Sequence, residues 1–149
     1  SLYDAPQRRR RCLIVGCRSG RPFHPPPPLT PEPTTVRQMM ADLGPPDGSA
    51  SHEVRAHAAR AYRNHLPSRL DAPAKTVLAG ANGPGGGTNC VSLDDGSVRY
   101  FTLREMARLQ TFPDTYLLCP VWTHAVKQLG NAAPPMLIRE WARSLPTAD

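Results

Sequence analysis

The spacing of apolar and polar positions predicts a first helix in residues 36–43. Apolar side chains recur every three or four residues, at Val36, Met39, Met40 and Leu43. This spacing places them on one helical face, and we interpret the methionines as core residues. Thr34 or Thr35 is suited to cap the start of the helix and Gly44 to end it. A second, alanine-rich helix is predicted from Ser51 to about Asn64, with its arginines facing solvent.

The last third of the chain has the most regular pattern. Thr102 and Glu105 match a capping box, which predicts the start of a helix near Leu103. This helix should run to about Thr111 and stop before Phe112-Pro113, because the residue before a proline disfavours the helical region.

Two more helices are expected after it. One covers Thr123 to Leu129 and ends at Gly130. The last helix begins near Pro134-Pro135, because proline suits a first helical turn. The apolar residues predicted to face inward from it are Leu137, Ile138, Trp141 and Leu145.

Two short apolar runs are predicted to be strands. Cys12–Gly16 is continuously apolar, as in a strand that is covered on both faces. The sequence contains no strand before it to pair with, so we expect its neighbours on another chain. Thr76–Ala79 is the other run, and a glycine-rich loop from Gly80 to Gly87 follows it. This loop lacks the spacing of a phosphate-binding loop.

The composition indicates a loop-rich chain with short regular elements. The 149 residues include 18 prolines and 11 glycines, against 6% aromatic residues. We therefore expect no single large hydrophobic core. The proline-dense stretch from Phe23 to Pro33 is predicted to be an extended connector, the alternative being a ligand for a proline-binding module.

The charge makes nucleic acid the first partner to test. The net charge is +6 and the sequence pI is about 9.6, and the alternative is a basic surface with no specific ligand. The four cysteines lack zinc-ligand spacing and are interpreted as reduced thiols, so no metal site is predicted. Without an apolar run of roughly 18 residues or a signal-peptide core, a cytoplasmic location is expected.

Three segments, in order, resemble the closing motifs of the DNA (cytosine-5) methyltransferase family. Gln7–Arg11 resembles the Q-x-R-x-R element, although Asp4 stands before it where the family usually has glycine. Arg99–Asp114 resembles R-x-L-T-x-R-E-x-A-R-L-Q-x-F-P-D almost position by position. Gln128–Pro134 resembles Q-x-G-N-A-V-P, with alanine in place of valine. Between them, Pro73–Val77 resembles the P-x-x-T-[VIL] element of the variable target-recognition region.

The resemblance implies an α/β fold: the C-terminal portion of a Rossmann-like methyltransferase sheet, a small irregular target-recognition region and C-terminal helices. Residues 1–18 would hold a strand of the catalytic-domain sheet with the Q-x-R-x-R element. Residues 19–98 would form the target-recognition region with its proline-rich connector. Residues 99–149 would carry the last two motifs and the final helix.

The family transfers a methyl group from S-adenosylmethionine to carbon 5 of a flipped-out cytosine in DNA, after a cysteine thiolate adds to carbon 6. The Pro-Cys and Glu-Asn-Val elements of that reaction do not occur in the 149 residues. The resemblance thus implies a restriction-modification component that needs an N-terminal methyltransferase half, either a separate subunit or the missing part of the chain. It would bind double-stranded DNA and share the cofactor with that half. The alternative is a catalytically inactive, stand-alone DNA-binding remnant.

The same resemblance assigns residues to the site. Arg9 and Arg11 are expected to contact the flipped cytosine or its phosphate, with Gln7 also at the DNA; being two apart on an extended segment, the arginines point to one side. The alternative is a solvated basic run or a localisation signal. Asn131 and Ala132 are expected beside the methionine end of the cofactor, and the alternative is an ordinary turn after a helix.

Further DNA contacts are expected from Thr76, Arg99 and Arg104. For Arg104, together with Glu105 and Arg108, we favour capping and local ion pairs that organise the recognition region. Direct contact of these helix residues with DNA is the second interpretation.

Overall fold

The computed structural model describes the chain apart from residues 1–4, 19, 30, 50, 55–58, 60–65, 81–88 and 147–149. The described elements are, in order, β1 (Gln7–Arg8), α1 (Val36–Met40), β2 (Ser68–Arg69), β3 (Ala74–Lys75), β4 (Cys90–Ser92), β5 (Val98–Tyr100), α2 (Leu103–Leu109), α3 (Trp122–Asn131) and α4 (Pro135–Arg143). The longest helix has 10 residues. None of the described helices could cross a bilayer.

The described strands form two small sheets. β1 pairs in parallel with β3, which places Gln7 opposite Ala74. In the other sheet β4 lies in the middle, parallel to β2 and antiparallel to β5. This mixture of helices and small sheets agrees with the predicted α/β class, whereas the Rossmann-like sheet stays a prediction.

One hydrophobic core joins these elements around α2, so the expectation of no single large core was wrong. Its fully buried residues are Val36, Ala74, Val77, Val91, Phe101, Leu103, Met106, Ala107, Leu109, Ala125, Val126 and Leu129. α1, β3 and β4 contribute one of these side chains each, α3 contributes three and α2 four. A core assembled in this way leaves little periodic signal in the sequence, because its members come from elements too short to show a period.

The predicted starts of α1 and α2 are confirmed. Thr35 caps α1 in a capping box with Gln38, and Thr102 caps α2 in a capping box with Glu105. These bonds satisfy backbone N–H groups that have no partner inside a helix. α2 ends at Leu109, two residues before the expected end.

The predicted buried strand Cys12–Gly16 is wrong for this chain. These residues form no strand, and the side chain of Ile14 is 93% exposed. Parallel pairing of β1 stops at Arg8 because its partner β3 stops at Lys75. Without a neighbouring strand among the described residues, the apolar run has no partner to pair with. The second predicted strand, Thr76–Ala79, is shifted to β3.

The last two helices lie where they were expected, but the burial of α4 does not follow the prediction. α3 covers the predicted segment, and α4 starts at Pro135. No residue of α4 is buried. Ile138 and Leu145 are 40% and 47% exposed, while Trp141 contacts the ring of Phe23 at 5.2 Å between centroids. Leu137 and Trp141 are half-buried, so the described chain covers the apolar face of α4 only in part.

Two other predicted elements cannot be compared in full. Most of the helix expected from Ser51 to Asn64 lies outside the described residues, although residues 51–54 are not helical. The glycine-rich loop from Gly80 to Gly87 lies outside them almost entirely.

Candidate functional site

Two buried glutamines connect β1 to the end of α2. Gln7 and Gln110 are both completely buried. Nε2 of Gln7 donates to Oε1 of Gln110 at 2.7 Å and to the carbonyl of Leu109 at 2.8 Å. Oε1 of Gln7 accepts from the N–H of Val77 at 3.4 Å. Because every polar group of this side chain is enclosed and bonded within the chain, Gln7 has a structural place here and offers no donor to DNA.

The connection continues to the C-terminal end of α3. Nε2 of Gln110 donates to the carbonyl of Leu129. Arg9 reaches the next carbonyl along, with Nη2 donating to Gly130 at 2.7 Å. The last carbonyls of a helix have no partner inside it. Gln110 and Arg9 together therefore cap α3, and the helix dipole favours a positive charge at that end.

Arg9 mainly connects two backbone segments by hydrogen bonds. In addition to the Gly130 bond, its Nη1 donates to the carbonyl of Val77 at 3.0 Å. Burial, and secondarily the charge of Arg11, lowers the pKa of Arg9, but a guanidinium remains protonated at neutral pH. Its Nε is buried without a hydrogen bond to the described part of the chain. With both terminal nitrogens bonded to carbonyls, Arg9 is the weaker of the two candidates for contact with a base.

Arg11 is the accessible member of the arginine pair. Its side chain is exposed, and Nη1 donates to the carbonyl of Arg10 at 2.7 Å. Arg9 and Arg11 border a small pocket of about 20 Å³ that is also lined by Ala5, Gln7, Pro134 and Leu137. The fold thus brings the Q-x-R-x-R segment and the end of the last motif to one pocket, although more than a hundred residues separate them.

Gly130 allows α3 to approach the chain that leaves β3. A Cβ built on Gly130 would stand 2.2 Å from the backbone nitrogen of Ala79 and 2.5 Å from the carbonyl carbon of Leu78. Distances this short leave no room for a side chain. The glycine of the last motif is therefore required for helix packing, independently of any ligand.

Asn131 ends α3 beside this contact. Its side chain is exposed and forms no hydrogen bond with the described residues. Ala132 is half-buried, and its N–H donates to the carbonyl of Gln128 at 3.0 Å. The Asn131 amide is consequently accessible at this end of α3, and its predicted role at the cofactor stays a prediction.

Thr76 and Arg99, which were expected to contact DNA, are both hydrogen-bonded within the chain. Oγ1 of Thr76 donates to the carbonyl of Arg8 at 2.6 Å, which prolongs the pairing of β1 with β3. Arg99 donates from both terminal nitrogens to Glu105, each at 2.7 Å. The side chain of Glu105 is fully buried and that of Arg99 is 14% exposed. This ion pair fixes β5 to the first turn of α2.

Arg104 and Arg108 form hydrogen bonds with groups around α2, and their direct contact with DNA stays a prediction. Both terminal nitrogens of Arg104 donate to the carbonyl of Tyr116 at 3.2 Å. Arg108 pairs with Asp42 and Asp114, and these hydrogen bonds lower the pKa of both carboxyl groups. α1, α2 and the loop after α2 are held together by these side chains.

The sequence reasoning missed Gln110, although a signal for it was present. Helical spacing puts Gln110 on the same face as Leu103 and Met106, both of which are buried. A polar side chain on an apolar face predicts a buried hydrogen bond.

The described residues contain no candidate metal site. Among the described residues there is no group of three or more His, Cys, Asp or Glu side chains that could hold a metal ion. No disulfide is formed among the cysteines of the described chain, which are Cys12, Cys17, Cys90 and Cys119.

Comparison with known proteins decides the family. The family model described as C-5 cytosine-specific DNA methylase matches residues 59–147. The chain belongs to this family. The matched range includes two segments that carry the resemblance, Arg99–Asp114 and Gln128–Pro134, together with Pro73–Val77.

Curated relatives of the chain extend the match toward the N-terminus. Type II methyltransferase M.BbvI of Brevibacillus brevis is 30% identical, over 89% of this chain and 43% of the relative. Type II methyltransferase M.NgoFVII of Neisseria gonorrhoeae is also 30% identical, over 96% of the chain and 46% of the relative. The DNA (cytosine-5-)-methyltransferase M.ApeKI of Aeropyrum pernix is 40% identical over 56% of the chain and 16% of the relative. The chain spans less than half the length of these relatives.

Proposed function

We propose that this chain is the target-recognition and C-terminal component of a DNA (cytosine-5) methyltransferase, acting in a restriction-modification system. The complete enzyme transfers a methyl group from S-adenosylmethionine to carbon 5 of cytosine in double-stranded DNA. In this proposal the chain binds DNA and completes the pocket for the base and the cofactor. The nucleophile comes from an N-terminal methyltransferase half.

The observation that carries the proposal is the hydrogen-bonded connection between the arginine segment and the end of α3. Arg9 bonds to Gly130 directly at 2.7 Å, and Arg11 and Pro134 border the same pocket. A base contact and a cofactor contact must lie close together in a methyltransferase, because the methyl group passes directly between the two ligands. The proximity of these two segments meets that requirement.

Each exposed polar group then has a distinct task. Arg11 neutralises a phosphate or donates to the flipped cytosine, which an accessible guanidinium does well. Arg9 holds the backbone that carries Arg11. The amide of Asn131 binds the cofactor at the end of α3. The bound cofactor supplies the electrophilic methyl group, and the residues of this chain orient it and exclude water.

The apolar surface that this chain leaves exposed supports a partner half. Ile14 is 93% exposed and Ile138 40% exposed, in the two segments that were predicted to be buried. An apolar strand and the apolar face of an amphipathic helix favour burial against another protein surface. We assign this surface to the N-terminal methyltransferase half.

The test is transfer of labelled methyl from S-adenosylmethionine to duplex DNA. The chain is measured alone, the N-terminal half of the same enzyme is measured alone, and the two are then mixed. Activity is expected in the mixture and in neither half, because the 149 residues contain neither Pro-Cys nor Glu-Asn. Asn131→Ala should impair the mixture.

Two outcomes would reject the proposal. Activity of the chain alone that is lost in Cys90→Ala or Cys119→Ala would place the nucleophile in this component. DNA binding by the chain alone, with an inactive mixture and no association with the N-terminal half, would instead indicate a stand-alone DNA-binding remnant.

A further inference from the structure

We propose that Gln110 is a positioning residue for the cofactor contact at Asn131, an inference that rests on the proposed function. It acts through the backbone of α3 and touches neither the cofactor nor the DNA in this proposal. Its partner in this task is Gln7.

The first step is the position of Gln110 between three segments that are distant in the sequence. It lies directly after α2, where its Oε1 accepts from Gln7 of β1 at 2.7 Å. Its Nε2 donates to Leu129, two residues before Asn131. The side chain is completely buried, so it cannot exchange these partners for water.

The second step is that the end of α3 is held from two sides. Gln110 bonds the carbonyl of Leu129, and Arg9 bonds the carbonyl of Gly130 at 2.7 Å. Both carbonyls belong to the last turn of the helix, where the i to i+4 pattern ends. The carbonyl of Leu129 also accepts from the N–H of Ala132, at 3.3 Å. With the next residue, Asn131, exposed, the direction of its side chain depends on how these two carbonyls are fixed.

The third step is the chemistry that this position demands. The side chain must accept from Gln7 and donate to Leu129 at once, which a primary amide does. Ionised glutamate can only accept, so it would place a negative charge against the Leu129 carbonyl. Protonated glutamate can do both. Methionine fills a similar volume without either bond.

The kinetic constants of the variants distinguish a positioning role of Gln110 from a purely structural one. A loss of folded protein lowers the amount of active enzyme and therefore the apparent kcat. A displaced Asn131 raises the KM for S-adenosylmethionine while the KM for DNA, which depends on Arg11, stays nearly constant. The two Michaelis constants can be measured in the same preparation.

The experiment uses the enzyme assembled from this chain and its N-terminal half. Gln110→Met should raise the KM for S-adenosylmethionine about tenfold at every pH, which is the order of effect expected for the loss of one buried side-chain hydrogen bond. Gln110→Glu should show the same rise at about pH 8.5 and recover toward about pH 6. The direction follows because burial raises a carboxyl pKa, so the donating, protonated form returns as the pH falls.

Met106→Ala is the matched control. Met106 is fully buried in α2 and belongs to the hydrophobic core, so this variant should lower the melting temperature with little change in either KM. Unchanged KM for S-adenosylmethionine in Gln110→Met, or an equal rise in the KM for DNA, would overturn the inference. If Gln110→Glu does not fold, the KM values of Gln110→Met alone test the inference. If the mixture of the two unsubstituted halves is inactive, the proposed function is contradicted. The Gln110 variants test the inference only when that unsubstituted mixture is active.

Discussion

Gly130 packs directly against the backbone of Ala79: a Cβ on Gly130 would stand 2.4 Å from the Ala79 Cα and 2.2 Å from its nitrogen. The contact joins the end of α3 to the chain that leaves β3. The glycine of the last motif and the chain just after the P-x-x-T element are therefore neighbours in space.

Gly130→Ala should destabilise the chain by about 1–3 kcal/mol, because backbone atoms must move to admit the methyl group. The better helix propensity of alanine offsets at most about 1 kcal/mol of this. Chemical denaturation followed by circular dichroism measures the change. Gly16→Ala is the control, since no atom of the described residues lies within 4 Å of the added Cβ there. Equal stability of the two variants would contradict the packing described here.

Arg99→Ala should cost about 3 kcal/mol of unfolding free energy, because it leaves the buried carboxylate of Glu105 without its counterion. Arg37→Ala removes two ion pairs, to Asp71 and Asp94, in which every side chain is about half exposed or more. Exposed pairs contribute little, so this control should have a much smaller effect. The two free energies are compared in one denaturation series, and a larger loss for Arg37→Ala would refute the assignment.

Cys90 should make the chain less stable in alkali. Burial raises the pKa of this thiol to about 11 from an ordinary value of 9.0. The unfolded chain therefore ionises first, and the stability that the buried thiol contributes is complete below pH 9.0 and is lost as the pH rises toward about 11. Cys90→Ala should flatten the fall in unfolding free energy over this range. Cys12→Ala, which changes an exposed thiol, should keep the slope of the unsubstituted chain.

Arg11→Ala should weaken DNA binding by the assembled enzyme and reduce its dependence on salt. Removing one phosphate contact lowers the slope of log K against log salt concentration by about 0.9. Fluorescence anisotropy with a labelled duplex at several salt concentrations gives this slope. Arg104→Gln is the control. Its slope should stay that of the unsubstituted enzyme, because Arg104 is bonded to Tyr116 within the chain. An unchanged slope in Arg11→Ala would remove the phosphate contact from the proposal.

Local chemistry along the sequence was enough to predict the helix ends. Thr102 and Glu105 form their capping box three residues apart, and Pro135 begins α4. These bonds join neighbours in the chain, so the residue types contain the information. The family resemblance likewise depended on short runs of residues, and the family match includes two of its three motif segments.

Only the tertiary structure decided what the polar residues of those motifs do. Gln7 and Arg99, expected at the DNA, are bonded inside the chain, and Gln110 bonds to a residue 103 positions away. The strand expected at Cys12–Gly16 did not form, because pairing requires a neighbouring strand that the described chain lacks. Capping depends on adjacent residues, whereas burial and long-range hydrogen bonds depend on which surfaces the folded chain brings together, and a linear pattern does not contain that information.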